Sequence, residues 1–149
     1  KTWLARNRAK AGDTLWVTGQ LGGSIHGKHL RFNPRLAEAH WLAKNLPVTA
    51  MMDLSDGLAK DLPRLAASCR LGYKLSAADV PKTRGCTLAQ ALGDGEDYEL
   101  LLALSSKAPC DFTSAWKQAF PKLKLTCIGQ LVADVSEAGL THGGWEHFR

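Results

Sequence analysis

The chain has no apolar stretch approaching the ~18 residues a membrane-spanning helix needs, and its opening residues carry no signal-peptide core. A cytoplasmic protein is the expectation. Its four cysteines, Cys69, Cys86, Cys110 and Cys127, form no C-x-x-C pair and have no histidine at zinc spacing. Neither a zinc knot nor a dense disulfide framework is indicated, and reduced thiols are expected. No long basic run and no aromatic-interleaved RNA-binding motif occurs, so nucleic acid is disfavoured despite a net charge of +5, from 19 Lys and Arg against 14 Asp and Glu. An anionic ligand suits that modest excess. Internal repeats, linkers and low-complexity segments are also missing. The 149 residues, 45% hydrophobic and 22% charged, describe one folded domain with a real core. The chain begins with Lys1 rather than Met, as a piece of a longer protein would.

Aromatic and β-branched content predicts a strand over Thr14 to Thr18, broken by Gly19, Gly22 and Gly23. Ser24 is a plausible N-cap for a short helix through Leu30, and Leu36, Ala39, Leu42, Ala43 and Leu46 set the period of a second helix. A strand over Val48 to Met52 leads into a helix opened by Ser55 or Asp56, in which Pro63 is an interior breaker, with Gly72 closing it. A short strand from Tyr73, a small helix over Leu88 to Leu92, and a helix over Asp111 to Phe120 follow, with a long last strand over Leu123 to Leu131. The clearest strand is Glu99 to Leu104. Its unbroken apolar run predicts burial on both faces, with helices on two sides of the sheet. The alternating elements imply an α+β fold of α and β layers around a mixed sheet.

Asp53-Leu54-Ser55-Asp56-Gly57 falls where the Val48 to Met52 strand stops and a helical period begins. Two carboxylates and a hydroxyl at a strand-to-helix junction suit a hard divalent cation that carries phosphate. They equally suit a helix N-cap, worth ~1 kcal/mol. Phosphoryl chemistry is the leading functional idea.

Four segments occur in a telling order: Asp53-x-Ser55-Asp56-Gly57-Leu58, Gly95-Glu96-Asp97-Tyr98-Glu99-Leu100, Ile128-Gly129, and Gly144-Trp145-Glu146-His147-Phe148. Together they resemble thiamine-monophosphate kinase, over the C-terminal domain that it shares with the aminoimidazole-ribonucleotide-synthetase superfamily. The resemblance implies an α/β/α arrangement and transfer of the γ-phosphoryl of ATP to thiamine monophosphate, with Mg²⁺ as cofactor. It implies Asp53 and Asp56 as Mg²⁺ ligands, Ser55 as an ATP contact, and Glu96 and Trp145 as substrate contacts. No residue is assigned as a catalytic acid or base. It further implies a separate N-terminal domain that binds ATP and metal and forms a homodimer, so that residues 1–149 alone are expected to be inactive.

Each assignment has a plainer counterpart. Glu96, with Asp97 and Glu99, reads equally as a solvated acidic turn, and Trp145 as a core aromatic beside Phe148. Gly19-Gln20-Leu21-Gly22-Gly23-Ser24 resembles a family turn whose N–H groups receive phosphate, or is simply a tight turn needing positive φ. Phe32 replaces a family Pro and implies a looser entry to the next helix, Asp94 replaces a Gly and adds charge beside Glu96, and Arg31 and Arg35 are read as solvent-facing. Two other readings remain: a selenophosphate or purine-pathway type of synthetase, and a non-catalytic module that binds a nucleotide or a partner.

Overall fold

Five consecutive apolar residues form the centre of the molecule. The computed structural model describes residues 5–136, and in it β4 (Leu100–Leu104) is buried along its whole length. It lies between β2 (Val48–Asp53) and β1 (Thr14–Thr18), with β5 (Leu125–Val132) and β3 (Gly72–Leu75) completing a five-stranded sheet of order β2-β4-β1-β5-β3. Side chains alternate across β4, as the two-residue repeat of a strand requires. Leu101 and Ala103 join the core under α2 (Leu58–Ser68) and α3 (Leu88–Gly93). Leu100, Leu102 and Leu104 face the opposite core, which contains Leu42 of α1 (Leu36–Asn45) and Trp116 of α4 (Phe112–Ala119). Helices on both faces make the α/β/α layers, and the α+β class stands.

The sheet is not mixed. All four ladders are antiparallel, and parallel pairing among the described residues is confined to an isolated Leu21–Lys82 bridge. Because β1 and β2 both run antiparallel to β4, they run parallel to one another, as a helical crossover between them demands. Insertion of β4 keeps them apart. Two bulges adjust the faces: Thr49 is the extra residue against β4 and places Val48 and Ala50 on opposite sides, while Ile128 is the extra residue against β1.

Other elements shift locally. The segment after Gly23 makes two 3₁₀ turns, Ser24–His26 and Lys28–Leu30, in place of one helix. Pro63 sits inside α2 without ending it, because Leu58, Leu62, Leu65 and Ala66 are buried against the sheet and outweigh a proline cost of ~3 kcal/mol. That helix ends at Ser68, and Arg70 at φ 58° makes the turn that frees Gly72 to begin β3. Among the described residues no helix is long and apolar enough to cross a membrane.

Candidate functional site

The last residue of β2, Asp53, pairs with the first of β4, Leu100, so the segments that follow one and precede the other are forced together. Pairing continues past the ladder. The Leu54 N–H donates to the Glu99 carbonyl at 2.8 Å, Tyr98 N–H to the Leu54 carbonyl at 2.9 Å, and Glu96 N–H to the Ser55 carbonyl at 2.7 Å. Two motifs some forty residues apart in sequence thus become one loop pair. Leu54 is fully buried and anchors it, leaving Asp53 exposed and Ser55, Asp56 and Glu96 half-buried. The side chains of Asp53, Ser55 and Glu96 have no partner among the described residues.

Neither Ser55 nor Asp56 caps α2. Gly57 is the N-cap, at φ 98° and ψ 153°, and makes no side-chain cap bond. A Cβ there would lie 2.9 Å from the Leu92 carbonyl oxygen, so the position needs glycine for conformation and for space. The loop is held instead from within the helix. Asp61, completely buried, accepts the N–H groups of Ser55 and Asp56 on Oδ2, both at 3.0 Å. Arg64 places Nη1 3.1 Å from Asp61 Oδ1 and also pairs with the Asp56 carboxylate. Burial pushes the Asp61 carboxyl above the usual aspartate range, opposed by the Asp56 N–H, reinforced by the Asp56 charge and opposed again by Arg64. Asp61 and Arg64 carried no motif signal; the readable hint was an acidic residue in a helix's first turn.

The second segment is not a solvated acidic turn. Asp97 and Glu99 are each only 2% exposed, while Glu96 and Tyr98 between and before them take positive φ of 52° and 51°. Asp97 accepts the Gly22 N–H at 3.0 Å on either carboxylate oxygen, and Asp94 accepts the Gly23 N–H at 2.7 Å. The Ser24 hydroxyl donates to the Gly95 carbonyl at 2.5 Å. Those carboxylates already fill the place that a phosphate would take at Gly22 and Gly23. With φ of 64°, 87° and 75° at Gly19, Gly22 and Gly23, the glycine segment is the tight turn. Asp94 is the charge that this turn uses, which a glycine could not supply.

Glu99 holds Arg35 in a two-pronged pair, Nε to Oε2 and Nη2 to Oε1, both at 2.8 Å, and accepts the Thr18 hydroxyl at 2.8 Å. Arg35 is therefore no solvent-facing arginine; its bond to Glu99 raises its pKa further, against the effect of burial. Nor is the approach to α1 loose, since the Phe32 ring stacks on Tyr98 at 4.1 Å and ties that segment to the loop pair. A cleft of about 410 Å³ opens beside Gly19, Arg35, Thr83, Glu99, Lys122 and Lys124. None of Asp53, Ser55, Asp56 and Glu96 lines it. Trp145, with its neighbours Gly144 and Glu146 to Phe148, lies outside the described residues.

Among the described residues no three or more His, Cys, Asp or Glu side chains gather as a metal cluster. Asp53 and Asp56 are hard oxygen donors, and Mg²⁺ commonly takes only one or two protein carboxylates, completing its shell with water and phosphate. The donor set fits Mg²⁺ on those terms.

No protein-family model matches the chain. Thiamine-monophosphate kinase of Rhodopirellula baltica is 40% identical over 113 residues, covering 69% of this chain and 35% of that protein. The enzyme of the same name from Leptospira interrogans is 31% identical over an alignment covering 99% of this chain and 56% of its own length. The chain thus spans between about a third and just over half of the curated relatives it matches. Among solved structures, thiamine-monophosphate kinase from Stenotrophomonas maltophilia superposes with a TM-score of 0.75 at 25% identity, over 88% of this chain and 51% of that one. AaThiL, solved with AMPPCP and TMP, gives 0.74 at 24% identity, over 97% and 54%. HypE of E. coli, a hydrogenase maturation protein, gives 0.67 at 22%, over 89% and 47%. The fold is the aminoimidazole-ribonucleotide-synthetase-like fold of these neighbours.

Proposed function

The chain belongs with the thiamine-monophosphate kinases by sequence and fold, matching about half their length, and on that premise we propose that it is the C-terminal domain of such an enzyme. The reaction is transfer of the γ-phosphoryl of ATP to thiamine monophosphate, giving thiamine diphosphate. One observation carries the reading: the D-x-S-D-G and G-E-D-Y-E-L segments form a single loop pair, from which Asp53, Ser55 and Glu96 present polar groups that no described residue uses. The complex of AaThiL with AMPPCP, an ATP analogue, and TMP supports the same pair of ligands here.

The chemistry asks little of the protein's acids and bases. An acceptor phosphate is already ionised at neutral pH, so the difficulty is bringing together polyanions that repel. Asp53 and Asp56 would hold Mg²⁺, which when bound supplies charge neutralisation to those phosphates. Ser55 contacts ATP through its hydroxyl. Glu96 receives the amino group and cationic ring of the thiamine moiety, and Trp145 offers a ring face to the same ligand. The remaining length of the protein supplies the rest of the ATP and metal site and the homodimer contact, and the enzyme works in the cytoplasm.

The test is thiamine diphosphate formation from thiamine monophosphate and MgATP by the longer protein that contains this chain, beside its Glu96→Ala variant. Product that falls sharply in the variant supports the kinase and places Glu96 at the acceptor. A folded, Mg²⁺-binding protein that makes no product sinks the acceptor assignment. Residues 1–149 alone should show no useful turnover, and robust activity from them would refute the division of labour.

A further inference from the structure

Of the two carboxylates assigned to a divalent cation, Asp53 has no partner among the described residues, whereas Asp56 is already paired with the guanidinium of Arg64. The same Nη1 atom lies 3.1 Å from Asp61 Oδ1, and the other Asp61 oxygen holds the N–H groups of Ser55 and Asp56. One nitrogen therefore bridges an outer carboxylate on the loop and a buried one in the helix beneath it. The Arg64 side chain is 54% exposed, so it can leave toward water, while Asp61 keeps its grip on the loop through backbone N–H groups alone.

We infer that Arg64 is an internal cation that occupies Asp56 until a divalent ion displaces it, making the motif a latched metal site. This rests on the reading of Asp53 and Asp56 as ligands. A guanidinium and a metal ion cannot share one carboxylate without repelling each other across a few ångströms, so whichever is bound weakens the other. The latch settles the charge of the loop without metal and lowers its affinity for metal.

Mn²⁺ is the probe, its free concentration read by electron paramagnetic resonance during titration of the longer protein that contains this chain. Arg64→Met, which keeps the aliphatic stem and removes the charge, should bind Mn²⁺ roughly two- to fivefold more tightly than the unaltered protein, the range expected for a half-exposed charge pair. Adding Asp56→Asn should abolish that gain. Equal affinity in both proteins, lost in Asp53→Asn, would overturn the latch and leave the metal reading standing. Weaker binding by Arg64→Met would make Arg64 a scaffold for the ligands and overturn the latch as well. Absence of Mn²⁺ binding in every variant, with native circular dichroism, would remove the metal reading and the latch with it. Arg64→Gln repeats the comparison if the methionine variant does not fold.

Discussion

The two acidic segments that meet beside Asp53 and Leu100 use their carboxylates in opposite ways. In Gly95 to Glu99 the inward carboxylates are structural: Asp97 is buried on the Gly22 N–H, and Glu99 is buried on Arg35 and Thr18. In Asp53 to Gly57 the backbone is held by a carboxylate from elsewhere, Asp61, and the segment's own acids stay at the surface. The lesson concerns counting. Six acidic residues, Asp53, Asp56, Asp94, Glu96, Asp97 and Glu99, come together here, and those that hold the Gly22 and Gly23 turn or Arg35 are not available to a metal or a substrate.

That contrast predicts where stability and function separate. The largest effect belongs to Glu99→Ala, which leaves Arg35, among the described residues, with only its 3.5 Å pair to Glu38 and takes the acceptor from the Thr18 hydroxyl; a loss of about 2–4 kcal/mol is expected in denaturant unfolding. A cost near that of a surface substitution would show that Glu38 and water suffice for Arg35. Asp97→Asn comes next, since the Gly22 N–H loses a charged acceptor in a buried place, with about 1–3 kcal/mol expected by the same measurement. Asp53→Asn and Glu96→Gln should change stability least, within about 0.5 kcal/mol. In the longer protein those two should nevertheless remove most thiamine diphosphate formation. If they instead unfold the chain while Glu99→Ala is tolerated, the assignment of inner scaffold and outer site is reversed.

A further consequence of the pairing is geometric. Gly19 lies directly against Glu99, and a Cβ there would run into its carboxylate, so the glycine turn, the buried Arg35 pair and the start of β4 are one packed unit. Gly57 does the same for the other segment, packing against the end of α3. Each acidic loop is therefore located by a glycine whose role is close approach, not ligand binding.

Much of this molecule was legible from residue order alone. The apolar run Leu100 to Leu104 announced a strand buried on both faces, and the periods of Leu36 to Leu46 and Leu58 to Ala66 announced helices, because burial needs are written locally in side-chain spacing. The motif pair and its order pointed to Asp53, Ser55, Asp56 and Glu96, and relatives of the same name bear out the family. Three readings failed for one reason. Asp97, Glu99 and Arg35 looked like solvated charges, and the Gly22 and Gly23 N–H groups looked free, because the partner of each lies sixty or more residues away. Sheet direction failed similarly, since only the insertion of β4 between β1 and β2 turns parallel strands into antiparallel neighbours. Spacing thus determined which segments become helix or strand, and motif order determined which segments to propose for phosphate chemistry. Tertiary structure alone decided which carboxylates remain outside, because a charged group stays buried only where the fold brings it a donor or a counter-charge.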